Sequence, residues 1–107
     1  MDLLELEIKP QNNELIIEIK NHGQNEVNIN MICISIKETL PVNKDNDIFQ
    51  IQPNFNLFPM KKFIFKLNIK EIIQNFSLDT KFSIKIYHSN KLIHESKIFS
   101  INSLVNI

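Results

Sequence analysis

The chain has 107 residues and zero net charge, with twelve Lys, no Arg and twelve acids, so it lacks the basic excess that steers proteins to nucleic acid or anionic lipid. A single cysteine, Cys33, rules out an internal disulfide framework. No apolar run approaches the ~20 residues of a membrane-spanning helix. The length fits one domain over residues 1–107, able to bury roughly 65% of its unfolded surface in one core. Twenty Ile and no Ala tilt the whole chain toward sheet, because Ile is stiff at χ1 and favours strands while Ala is the strongest helix former. Fifteen Asn beside the Ile and Lys read as the mutational signature of an A+T-rich genome.

The first predicted strand is Leu3 to Lys9, where Leu4, Leu6 and Ile8 alternate with Glu5, Glu7 and Lys9. Pro10-Gln11-Asn12-Asn13 is a turn cluster. A second strand, Glu14 to Lys20, turns Leu15, Ile17 and Ile19 inward. The loop Asn21 to Asn25 holds Gly23, the only glycine, which predicts a positive-φ turn position. Glu26 to Lys37 continues as strand, but its alternation slips from Val27 and Ile29 to Ile32, Ile34 and Ile36. That slip predicts a β-bulge near Met31 or a strand buried on both faces.

Glu38 to Asp47 reads as a polar loop and Ile48 to Gln52 as a short strand stopped by Pro53; residues 54–59 are irregular but apolar. Lys62 to Lys70 is the cleanest alternation, with Phe63, Phe65, Leu67 and Ile69 inward. Ile72, Ile73 and Phe76 fit one or two helical turns. Thr80 to His88 and Lys91 to Ile101 form a hairpin about Ser89-Asn90. A three-residue loop would oppose Lys85 to Glu95, and a two-residue loop Ile86 to Ile93; the sequence leaves the register open. About seven strands with one short helical turn predict an all-β, antiparallel two-sheet sandwich of immunoglobulin-like type. The competitor, a five-stranded OB barrel, usually needs more glycines where its strands bend.

Three segments carry a family resemblance. Asn13 to Val27, containing Asn21-His22-Gly23, resembles the second hairpin of Ig-like domains of the CARDB, FlaF-like and ASH (major-sperm-protein-like) kinds. Leu57 to Phe65 resembles their "Leu-x-Pro" fifth element, and Tyr87 to Leu92 their last hairpin. Met60 stands where these domains usually have a small residue or Gly after the proline, and the chain as given lacks the anchoring N-terminal helix of archaellum-type relatives. The resemblance implies a non-catalytic role in adhesion, filament assembly or scaffolding.

The chemistry-bearing residues are sparse. In such a sandwich the second and sixth hairpin loops share one end, which places His22 and His88 beside Asn90 in a polar cluster; zinc would need a third ligand and a closed shell. His94 lies further along the returning strand. Cys33 sits between Ile32 and Ile34, an apolar setting that suits an inert buried thiol and not an activated one. Glu38, Asp45 and Asp47 share a loop but lack the Gly and terminal Glu of an EF-hand. Asn75-Phe76-Ser77 is a glycosylation sequon that so Asn-rich a chain contains by chance. No nucleophile elbow, phosphate loop or paired-Cys spacing occurs. No cofactor is implied.

Phe63, Phe65 and Phe82 fall in inward phase and belong to the core. Phe55 and Phe58 flank prolines, and the tail presents Ile101, Leu104, Val105 and Ile107 with almost no charge; these six are the candidate protein-contact residues. The pattern as a whole points to a non-enzymatic protein-interaction or structural module, acting through a strand edge or apolar patch on a protein partner or a second copy. Single-stranded nucleic-acid binding on an OB-like barrel is the rival reading. The N-terminus lacks a signal peptide's basic start, which reads as cytoplasmic, or as surface-anchored if an anchor precedes Met1.

Overall fold

The computed structural model describes residues 3–38, 44–73, 76, 77 and 79–105. Of Glu38 and residues 44–49, 72, 73, 104 and 105 it describes the backbone. The strands are β1 (Leu4–Gln11), β2 (Glu14–Asn21), β3 (Val27–Ile29), β4 (Met31–Glu38), β5 (Lys44–Ile51), β6 (Phe55–Leu57), β7 (Lys62–Asn68), β8 (Phe82–His88) and β9 (Lys91–Glu95). Two short helices, α1 (Ile69–Ile73) and α2 (Ile101–Val105), follow β7 and close the described chain. All strand pairs are antiparallel, in sheets ordered β1-β2-β7 and β5-β4-β8-β9, with a small β3-β6 pair. The three- and four-stranded sheets pack as the two layers of a sandwich.

The apolar alternations build the core between them. Leu4, Leu15, Ile17 and Ile19 from one sheet meet Ile32, Ile34, Phe82, Ile84 and Ile86 from the other in a single buried cluster. Each such side chain contributes roughly 2–3 kcal/mol of burial.

Among the described residues nine strands replace the expected seven, because the run from Glu26 to Lys37 divides at Asn30 and residues 55–57 add a three-residue strand. Before Asn30 the chain pairs with β6; after it, with β5 and β8. The Asn30 amide donates to the Tyr87 carbonyl at 2.9 Å, which keeps the break attached to β8. This is the physical origin of the slipped alternation. The central residues of β4 are then buried on both faces, Cys33 and Ser35 as fully as Ile32 and Ile34. A register shift at Ile34/Ser35 adds a bulge against β5, and that strand begins at Lys44, inside the stretch the sequence reads as loop.

The hairpin register resolves in an unforeseen way. Ser89 and Asn90 both have positive φ, 49° and 66°, the type I′ requirement of a two-residue turn. Next to the turn Tyr87 opposes Leu92, but a shift between Ile86 and Tyr87 then brings Lys85 opposite Glu95. Ile86 therefore opposes His94 and not Ile93: the two-residue register holds only beside the turn, and the three-residue register beyond it.

Gly23 corrects another expectation, because it is not in the positive-φ region. Its need is steric: a Cβ there would lie 3.1 Å from Leu3 Cδ2 and 3.2 Å from Asn21 Oδ1. The left-handed positions are held by Asn12, Asn54, Met60, Ser89 and Asn90. Asn21, fully buried, holds this end together. Its Nδ2 donates to the carbonyls of Asn25 and Leu57, at 2.9 and 2.8 Å, and its Oδ1 accepts from the Gly23 amide at 2.8 Å.

The tail neither completes β9 simply nor hangs free. Ser96 keeps the ladder by donating its amide to the Ile84 carbonyl and accepting the Ile84 amide on Oγ. Residues 97–98 bulge outward, and Phe99 pairs with Phe82 before α2 begins. Among the described residues no helix is long and apolar enough to cross a membrane.

Candidate functional site

Two surface regions collect the sequence's polar candidates. The first is a lateral groove of about 690 Å³ on the side where β1 and the chain after β9 face each other. Leu4, Leu6 and Ile8 line it from β1, Ile98 and Phe99 from the opposite lip, and His22, His94 and Lys97 its rim.

The groove exists because β1 is an edge. Hydrogen bonding between β1 and β2 includes the His22 amide donating to the Leu3 carbonyl, 2.7 Å. In an antiparallel ladder the bonded pairs alternate, so Glu5, Glu7 and Lys9 also bond to β2, across Lys20, Glu18 and Ile16. The backbone groups of Leu4, Leu6, Ile8 and Pro10 therefore face away from β2. Pro10 has no N–H to offer, which is why it is tolerated there. The same residues that aim backbone groups at the open edge turn their side chains inward. Leu6 and Ile8 pack on the core but stay half-exposed, and Ile98 across the groove is 61% exposed. His22 Nε2 donates to Glu5 Oε2 at the rim.

On the outer face of this sheet Lys9 Nζ lies 3.2 Å from both Glu7 and Glu18. The hydrogen bonds that Lys9 donates to Glu7, then to Glu18, raise its pKa above the usual value. One ammonium serves two carboxylates, so β1 carries an acidic outer face.

The second region lies at the β3–β6 end. Asn28 Nδ2 donates to Asn56 Oδ1 at 2.6 Å and Asn30 Nδ2 to Asn54 Oδ1 at 2.8 Å. His88 Nδ1 donates to Asn28 Oδ1 at 3.0 Å, and the Ser89 amide donates to Asn30 Oδ1. Beside this amide ladder, a cleft of about 540 Å³ is lined by Asn30, Gln52, Asn54, Tyr87 and Asn90, among others.

His88 and Asn90 thus belong to one polar region, whereas His22 is bonded to Glu5 at the groove. Among the described residues no group of three or more His, Cys, Asp or Glu is placed to hold a metal ion. Of the six protein-contact candidates, Phe58 is 55% exposed. Phe55 is half-buried, its ring 4.5 Å from that of Phe63. Ile101 is 2% exposed and belongs to the chain's own core. Leu104 and Val105 lie on α2 with their side chains outside the description, and Ile107 lies outside the described residues. The side chains of Glu38, Asp45 and Asp47, and residue Asn75, also lie outside it.

Reading the alternation of β1 as an ordinary core face missed Leu6 and Ile8 as groove residues. Pro10 held the signal, since a proline closing an alternating run marks an edge strand.

Comparison with known protein families, curated proteins and solved structures finds no match.

Proposed function

We propose that this domain is a non-enzymatic protein-interaction module that receives an extended segment of a partner protein along β1. The observation that carries the reading is the coincidence at Leu4, Leu6 and Ile8. Their backbone groups face the open edge while their side chains line an apolar groove. Strand addition uses that combination: main-chain hydrogen bonds give affinity and alternate side-chain positions give selectivity. The groove suits a segment with apolar residues at every second position. The acidic outer face of β1, Glu5 and Glu7, favours basic residues at the intervening ones, since opposite charges on neighbouring strands attract. Cys33 is fully buried, His22 is bonded to Glu5 and His88 to Asn28; the reading assigns none of the three a chemical step.

Titrating an extended peptide of alternating Val and Lys into isotope-labelled protein tests this. Amide shifts are expected along residues 4–9 and 94–99, and both Leu6→Lys and the solvent-side Ile98→Glu should abolish them. Shifts confined to residues 28–30, 54–56 and 87–90, or none at all, would overturn the reading.

A further inference from the structure

The three-stranded sheet has two open edges of different chemistry. β7 bonds to β2 through Lys61 and Ile69 at its ends, with the Asn21 amide donating to the Lys61 carbonyl and the Ile69 amide to the Asn13 carbonyl. The bonded positions alternate, so Phe63, Phe65 and Leu67 bond to β2, while Lys62, Ile64, Lys66 and Asn68 aim their backbone groups outward. Neither β1 nor β7 pairs with a second strand among the described residues. At β1 the outward-bonding residues are core-facing; at β7 they are solvent-facing.

We infer that β7 of a second copy of this chain is an occupant of the β1 edge, joining copies head to tail through a parallel strand pair. The inference rests on the proposed use of β1 and names the partner. Its geometric warrant is the facing of the two edges. In antiparallel pairing, residues that exchange hydrogen bonds stand opposite each other on one face. Core-facing Leu6 would then oppose solvent-facing Ile64, and the two sandwiches would present opposite faces. In parallel pairing, a residue that bonds across stands opposite one that bonds away. Leu6 then opposes Phe65, both core-facing, and Ile64 opposes Glu5, both solvent-facing. Since β1 and β7 both run antiparallel to β2, they share a direction. Repeating the molecule side by side produces the parallel junction with no flip.

Side-chain chemistry selects the register. Setting Phe65 against Leu6 also sets Phe63 against Leu4 and Leu67 against Ile8, so the half-covered Leu6, Ile8, Phe63 and Phe65 cover one another. On the outer face it sets Lys66 against Glu7. Sliding by two residues, to set Lys62 against Glu5, opposes Lys66 to Lys9, a like-charge pair that costs energy. Glu7 shares the Lys9 ammonium with Glu18, and Lys66 has no carboxylate within ion-pair distance among the described residues, so Lys66 gains a partner and Glu7 a second one. A junction between two different surfaces cannot close on itself as a two-fold dimer, and it propagates as an open array or closes as a ring.

Sedimentation of the full chain over a range of concentrations tests this. Wild type is expected to assemble with rising concentration. Glu7→Lys and Lys66→Glu should each weaken association about tenfold, attraction giving way to repulsion, and an equimolar mixture of the two should assemble again. Ile64→Pro, which removes only an outward-facing N–H at a residue 50% exposed, should abolish assembly without disturbing the fold. A wild type that stays monomeric, or assembly indifferent to these three variants, would overturn the inference. In either case, peptide-induced shifts along β1 that survive leave the proposed function standing, and their loss removes it as well.

Discussion

The middle of the four-stranded sheet and the β1 flank of the three-stranded one are written in the same alternating apolar code, and they end in opposite conditions. At β4 and β8 the alternation is closed on every side: Ile32, Ile34, Ile84 and Ile86 are sealed in the core, and Cys33, Ser35 and Ser83 are buried on the outer face. There Glu95 reaches across from β9 to meet Lys37 Nζ at 2.6 Å and Ser83 Oγ at 2.7 Å. At β1 an equally regular alternation leaves Leu6 and Ile8 half covered, with their backbone groups unclaimed by a second strand. Local pattern decides which way a side chain points. Strand order decides whether anything lies beyond it.

Truncation at the two places should separate them most. Ile84→Ala is expected to destabilise by about 3–4 kcal/mol, because a sealed site collapses poorly around a cavity. Ile8→Ala is expected to cost only about 1 kcal/mol, since part of that side chain already faces solvent. Urea midpoints at unchanged m-value measure both; equal losses would mean that the β1 flank is as closed as the centre.

Glu95→Gln probes the outer closure at a smaller scale. Partial burial pushes the Glu95 carboxyl up, but hydrogen bonds from Lys37 and Ser83, with the charges of Lys37 and Lys85, outweigh this and hold its pKa below the usual value of 4.5. A depressed carboxylate stabilises the fold fully above its unfolded pKa and loses that contribution as pH falls through the folded one. The wild-type advantage over Glu95→Gln, about 1 kcal/mol near neutrality, should therefore shrink below about pH 4.5. An advantage independent of pH would place the effect in packing.

These effects bear on what a sequence makes visible. The inward sets Leu15, Ile17, Ile19 and Phe82, Ile84, Ile86 were legible because period-2 alternation is local. The division at Asn30 showed only as a slipped phase, since the partner change that causes it involves β6 and β8, distant in the chain. The β8–β9 hairpin defeated a choice between two registers because an irregularity between Ile86 and Tyr87 lets both coexist. Edge status, on which the candidate groove depends, is a property of sheet order, and only Pro10 hinted at it. The polar cluster was legible in part: His88 and Asn90 sit by the Asn ladder, while Glu5, one strand over, takes His22.

The smallest expected effect lies at the other flank. Pro59 and Met60 are the central residues of a turn closed by the Lys61 amide donating to the Phe58 carbonyl at 3.1 Å. Met60 has φ 66°, the position of a type II turn that favours Gly. Its side chain is 66% exposed, so little packing is lost on removal. Relief of about 1–2 kcal/mol of left-handed strain, less the greater unfolded-state freedom of Gly, should leave Met60→Gly about 0.5 kcal/mol more stable and its Tm a few degrees higher. A lowered Tm would show that Met60 makes a contact worth more than the strain.

The burial of Cys33 makes the closed region its own reporter. The thiol forms no disulfide and lies sealed on the outer face of β4, in mid-strand between β5 and β8, so an alkylating reagent reaches it only when that cover opens. Fraying at an open flank does not expose it. The rate of its modification counts openings of the centre of the fold, and the molecule carries, in its only sulfhydryl, a clock for the part of itself that no ligand at β1 would touch.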